Sequence, residues 1–93
     1  MTVKVSIPSP LRTLTDEKSK VDSSGNTLKE VIDNLDSQYN GIKKRICDEN
    51  GNIRPFINVF INGNDVRHLS DLDSIISAGD EITIVPAMAG GYK

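Results

Sequence analysis

An α+β fold, with one main helix packed across one face of a mixed sheet of four to five strands, is predicted by three observations. Near the N-terminus, Val3, Val5 and Ile7 alternate with Thr2, Lys4 and Ser6, the period of a strand with one buried face. In the middle of the chain Leu28, Val31, Ile32, Leu35 and Tyr39 recur three or four residues apart, which places them on one face of a helix. Towards the C-terminus, residues 56–62 and 81–86 return to strand-like runs rich in Ile, Val and Phe.

After the first strand, Pro8 and Pro10 interrupt backbone hydrogen bonding and open a loop. A weaker strand is expected near Lys18 to Asp22, with Val21 inward, and Gly25-Asn26 marks the turn that follows. Thr27 and Glu30 have the spacing of a capping box, in which each side chain satisfies an amide left open at the helix start. Lys29, Glu30, Asp33, Asn34 and Asp36 fill the opposite face of that helix, and Gly41 ends it. Ile42 and Ile46 are placed to add one apolar turn before the polar loop 48–52. Asn62-Gly63-Asn64-Asp65 then reads as a tight turn. Val66, Leu69, Leu72, Ile75 and Ile76 belong to short elements, and Ala78-Gly79-Asp80 turns into the last strand. With one helix crossing one sheet at this length, a β-grasp assembly is the natural arrangement.

The 93 residues allow a single modest core, and 37% hydrophobic with 26% charged residues is ordinary globular composition. A net charge of −2 gives no electrostatic reason to expect nucleic acid; the one basic run, Lys43-Lys44-Arg45, reads as a solvated turn. No apolar stretch is long enough to span a bilayer, and residues 1–20 lack the uninterrupted apolar region of a secretory signal. A lone cysteine, Cys47, cannot form an internal disulfide, which fits a reducing cytoplasm.

The chain divides into a domain over residues 1–86 and a tail over residues 87–93, Ala-Met-Ala-Gly-Gly-Tyr-Lys, expected to be slender and flexible. Three groups of residues carry a resemblance. They are residues 61–66 (Ile-Asn-Gly-Asn-Asp-Val), residues 78–86 (Ala-Gly-Asp-Glu-Ile-Thr-Ile-Val-Pro), and the ending Ala89-Gly90-Gly91. In this order the chain resembles the ubiquitin-like sulfur carrier family, which includes the thiamin-pathway carrier and the small subunit of molybdopterin synthase. Within that family it resembles the branch that supplies sulfur to a cysteine synthase. The features shared with that branch are Val-Ser-Ile-Pro8, Leu11-Arg12, Gly-Asn-Thr-Leu28, Phe-Ile-Asn58 and Pro-Ala-Met-Ala-Gly-Gly91. The resemblance covers nearly the whole chain, with one departure: Tyr92-Lys93 follows the second glycine.

The resemblance implies a carrier that is not itself an enzyme and binds no cofactor or metal. An E1-like adenylating and sulfurtransferase partner uses ATP to join the Gly91 carboxylate to AMP, and a sulfur donor then displaces AMP to leave a thiocarboxylate. Because Gly91 is a peptide carbonyl while Tyr92-Lys93 stays attached, a JAMM-type zinc metalloprotease is implied to cut between Gly91 and Tyr92. The sulfur acceptor is a cysteine synthase-like PLP enzyme; thiamin or molybdopterin biosynthesis, or conjugation to lysines as a protein modifier, are the alternatives. The free carrier is expected to be a cytoplasmic monomer that engages neither nucleic acid nor membrane.

The residue types of the tail suit this chemistry. Glycine adopts backbone angles denied to other residues, so Gly90-Gly91 can thread a narrow channel, and no side chain crowds the reacting carbonyl. Ala87, Met88 and Ala89 keep the approach slim, while Pro86 ends the strand and aims the tail outward. For a terminal diglycine in general, an idle frayed end is the blander reading.

Elsewhere, Phe56, Asn58 and Phe60 alternate with Ile57, Val59 and Ile61. The Ile/Val side is expected beneath the helix. The two phenylalanines on the open face then either anchor a partner, with Asn58 between them, or lie under a loop. Cys47 is expected to be an isolated thiol, and His68 a surface or turn residue. The loop from Asp48 lacks the glycine and glutamate of a calcium loop, since those positions hold Ile53 and Val59. Asp71, Asp73, Asp80 and Glu81 read as turn and cap residues.

Overall fold

The computed structural model describes residues 2–86. Its strands are β1 (Thr2–Ser6), β2 (Lys20–Ser24), β3 (Ile57–Ile61), β4 (Asn64–Asp65) and β5 (Glu81–Pro86), and its helices are α1 (Leu28–Gln38) and α2 (Ile42–Ile46). The sheet order is β2-β1-β5-β3-β4. β1 and β5 run parallel, and the other neighbours are antiparallel. The last strand of the chain therefore lies in the middle of the sheet.

Alternation decides the two faces. Val3, Val5, Val21, Ile57, Val59, Ile61, Ile82 and Ile84 are buried together with Leu28, Val31, Ile32 and Leu35 of α1. The Ser23 hydroxyl donates to the Val31 carbonyl at 3.1 Å, which ties β2 to the helix above it. Ile42 and Ile46 of α2 are fully covered, so the extra apolar turn expected after Gly41 is present and closes one end of the core.

The start of α1 differs from a strict capping box in one bond. Thr27 Oγ1 accepts from the Glu30 amide at 3.3 Å, as expected, but Glu30 Oε1 reaches one residue further back and accepts from the Asn26 amide at 2.9 Å. Gly25 explains the geometry. With φ at +154°, a Cβ there would lie 2.8 Å from both Glu30 Cβ and the Val31 nitrogen, so the chain passes against the first turn of α1 where only glycine fits.

Two early elements depart from expectation. The proline-bearing segment after β1 forms a 3-10 helix, Ser9–Leu14, that buries Leu11. Pro10 falls in the first turn, where a missing N–H costs nothing. The second strand begins at Lys20 rather than Lys18, because Asp16 and Glu17 take left-handed conformations and the Lys18 amide closes a turn onto the Thr15 carbonyl at 2.9 Å.

The β3–β4 hairpin turns through Asn62 (φ 51°) and Gly63 (φ 85°), the paired positive angles that match the twist of a two-residue hairpin. Asn62 then does more than turn the chain. Its Nδ2 donates to Asp80 Oδ1 at 2.9 Å, its Oδ1 accepts from the Glu81 amide at 3.0 Å, and its own amide donates to the Glu81 carbonyl at 2.8 Å. The hairpin tip thus fixes the start of β5, the strand that leads to the C-terminus.

Candidate functional site

The sequence features point to the chain's C-terminal end, and the sheet explains how the strand leading to it is held. β5 is paired on one side with β3 from Ile82 to Pro86, and on the other with β1 from Glu81 to Thr83. The β1 ladder stops where Pro8 would have to donate and cannot. The last half of β5 therefore has a strand on one side and the Ser9–Leu14 turn beyond the other. Pro86, half-buried and opposite Ile57, is the last described residue of β5. Ala87, Met88, Ala89, Gly90, Gly91 and Tyr92, which carry the tail and processing assignments, lie outside the described residues.

Two surfaces meet this root. On the open sheet face, Phe60 stands between Asp65 and Thr83 in register and is half-buried. Asn58 sits opposite Val85, which is 39% exposed. The Asn58 side chain is engaged: its Oδ1 accepts from Arg67 Nη1, while Arg67 Nη2 donates to the Ile57 carbonyl at 2.8 Å. Further along the same face Lys4 and Asp22 form an exposed ion pair at 2.8 Å, worth little to stability.

The second surface is a groove of about 450 Å³ at the end of the sheet. Pro8, Leu11, Phe56 and Pro86 form apolar walls, and Lys44, Arg45 and Arg54 add three cations without a carboxylate. Phe56, 45% exposed, belongs to this groove, so the three partner-surface candidates split: Phe60 and Asn58 on the sheet face, Phe56 at the tail root. Both phenylalanines stay outside the fully buried aliphatic core. Burying one would contribute about 1.5–3 kcal/mol, so their position leaves that energy available to a partner.

The cations were the part that sequence reasoning passed over. The basic run belongs to α2 rather than a turn, and it splits by function. Lys43 pairs with Asp33 at 2.6 Å, and this hydrogen bond, with the attraction of the same carboxylate, raises its pKa. Lys44 and Arg45 face the groove instead. Arg54 is oriented by its Nε, which donates to the Lys44 carbonyl at 3.0 Å. Only the clustering of lysine and arginine in one run was visible beforehand; Arg54 gave no signal.

The remaining candidates are structural. Cys47 is buried beside α2, and burial pushes its thiol pKa up, the opposite of an activated nucleophile. His68 is exposed in a 3-10 turn. Asp48 Oδ1 accepts from the Asn50 and Asn52 amides, shaping its own loop. Asp80 caps a turn through the Ser77 amide at 2.8 Å. Among the described residues no three His, Cys, Asp or Glu side chains gather as metal ligands, and no helix is long and apolar enough to cross a membrane.

One main helix laid over a five-stranded mixed sheet, with a central last strand leading to the C-terminus, defines a ubiquitin-like β-grasp protein. The chain belongs to the ThiS family, whose model matches residues 5–91. It is 43% identical over 93 residues to the sulfur carrier protein CysO of Mycobacterium tuberculosis, covering 98% of this chain and 100% of that one. The CysO of the Amycolatopsis orientalis BexX/CysO complex superposes with a TM-score of 0.90 at 44% identity, over 96% of this chain and 99% of that one. A small archaeal modifier protein from Methanosarcina acetivorans gives 0.81 at 32% identity, covering 97% and 96% of the two chains. The relatives are carriers and modifiers by name, and this chain, like them, is not a catalyst in its own right.

Proposed function

We propose that this protein is a sulfur carrier whose reactive group is the main-chain carboxylate of Gly91, serving cysteine biosynthesis in the cytoplasm. The observation that carries the reading is full-length similarity to proteins named as sulfur carriers. The family match running through Gly91 and stopping before Tyr92 supports the same residue. In this reading a JAMM-type metalloprotease removes Tyr92-Lys93. A carboxylate oxygen of Gly91 then attacks the α-phosphorus of ATP on an E1-like enzyme, and pyrophosphate leaves. A sulfide nucleophile attacks the carbonyl carbon, and AMP departs with the oxygen. The resulting thiocarboxylate gives its sulfur to a cysteine synthase-like PLP enzyme. The domain's part is presentation: a central strand held on both sides delivers a thin tail into a partner's active site.

The test is the intact mass of the protein recovered from its native cells. Loss of Tyr92-Lys93 with one oxygen replaced by sulfur is the expected result, and Gly91→Ala is expected to stay unloaded while folding normally. A thiocarboxylate on the Gly91→Ala protein would sink the assignment. Similarity to archaeal modifier proteins favours a second reading, conjugation through Gly91 to lysines of other proteins. Conjugates that survive a denaturing gel would establish it.

A further inference from the structure

We propose that the groove beside Pro86 is a docking site for an acidic, apolar segment of the enzyme that activates Gly91. The inference deepens the carrier reading and rests on it. Its first support is charge. The chain as a whole carries a net −2, yet the groove gathers Lys44, Arg45 and Arg54 and no carboxylate. Among the described residues the ion pairs are Lys4–Asp22 and Lys43–Asp33, so none of the three groove cations is neutralised within the fold. Phe56 and Leu11 supply an apolar floor between them, and aromatic and arginine side chains together are what the energetic centre of an interface is made of.

The second support is reach. Gly91 is the fifth residue after Pro86, and an extended chain spans at most about 3.3–3.6 Å per residue. An enzyme holding the Gly91 carboxylate at its reacting atoms therefore lies within roughly 18 Å of Pro86, which is itself a wall of the groove. Enclosure of the tail therefore brings the partner's surface within reach of this patch. Residues 87–91 contain no acidic side chain, and the one anion of the trimmed tail, the Gly91 carboxylate, is the group the activating enzyme must hold, so it is not free to fill the groove.

The experiment is the steady-state rate of adenylation by the cognate E1-like enzyme, measured against carrier concentration. It compares the Gly91-ended parent, the double variant Lys44→Glu/Arg45→Glu, and Arg54→Glu. Lys18→Glu/Lys20→Glu, both exposed and outside the groove lining, controls for net charge. Groove reversal is expected to raise KM by about tenfold or more and leave kcat at saturation unchanged, since the tail chemistry is intact. The parent's KM is expected to climb with salt while the groove variants' changes little. Arg54→Glu loses its bond to the Lys44 carbonyl, so the Lys44/Arg45 variant, whose side chains make no such bond among the described residues, stands apart from any folding defect. Equal KM effects from groove and control reversals overturn the docking inference alone. No turnover of the parent overturns the carrier reading and this inference with it. Amide shifts at Leu11 and Arg54 that move on Met88→Ser in the full chain would assign the groove to the chain's own tail. Concentration-dependent dimerisation abolished by the groove reversal would assign it to a second copy; either result overturns the proposal.

Discussion

Asn62 joins the hairpin tip to the strand that carries the tail, and its replacement by alanine tests that junction. The side chain makes two hydrogen bonds, to Asp80 and to the Glu81 amide, at 2.9 and 3.0 Å. The residue is exposed, so each bond is taken at the low end of the usual range, about 0.5 kcal/mol. Its φ of 51° adds a second cost: alanine in the left-handed region is strained by about 1–2 kcal/mol, whereas asparagine tolerates it. The sum is a destabilisation of about 2–3 kcal/mol. With a urea m-value of roughly 1–1.5 kcal/mol per M for a domain of this size, the midpoint falls by about 2 M. Asn62→Gly keeps the turn angle and loses the two bonds, with a further cost of about 0.5–1 kcal/mol in chain entropy, and is expected to unfold between the parent and the alanine variant. Urea unfolding followed by circular dichroism gives the midpoints, and amide exchange at Glu81 reports the site itself. A midpoint shift under about 0.5 M for Asn62→Ala, at unchanged m, would refute the reasoning.

Gly25→Ala places a Cβ 2.8 Å from Glu30 Cβ and the Val31 nitrogen, against helix backbone that cannot swing aside; a loss of about 2–4 kcal/mol is expected by urea titration, and a change near zero would mean the α1 start is looser than described. Phe60→Asp is expected to weaken binding of the activating enzyme by about tenfold with the fold intact; unchanged affinity by calorimetry would remove the sheet face from the interface. Cys47 holds its proton more tightly folded than unfolded, because burial raises its pKa. That contribution is complete below the ordinary thiol value and is lost as the pH climbs through it towards the folded value, so urea midpoints should decline on the alkaline side. Lys43, also raised, declines in the same direction at higher pH, so Cys47→Ala should flatten only the earlier part of the slope.

What could be read from the chain depended on whether one segment carried its own signal. α1 announced itself because Leu28, Val31, Ile32 and Leu35 share one stripe and Thr27 caps it. β3 did so because Ile57, Val59 and Ile61 alternate, and its turn because Asn-Gly favours two positive φ angles in succession. β2 was misplaced by two residues for the converse reason. The turn before it puts Asp16 and Glu17, not glycines, at positive φ, so nothing in the residue types marks it. The Ser9–Leu14 helix hid behind two prolines that read equally well as a loop.

The proposed tail chemistry rests on a different kind of signal: a main-chain carboxylate needs no constellation of side chains, so a diglycine in the right place is nearly the whole of it. The groove is the opposite case. Its walls come from the 3-10 turn, α2, the segment before β3 and the end of β5, so no local window contains it. Only when β5 is inserted between β1 and β3 do Pro8 and Pro86 become neighbours of Arg54 and Phe56. The same insertion makes the fold suited to carrying. A tail grown from an edge strand would move whenever that edge frayed, whereas β5 is paired on one side to its last described residue and on the other as far as Thr83. In the proposed carrier reading, its root then serves as a fixed reference from which a partner recognises the end of the sheet and brings Gly91 to the point of reaction.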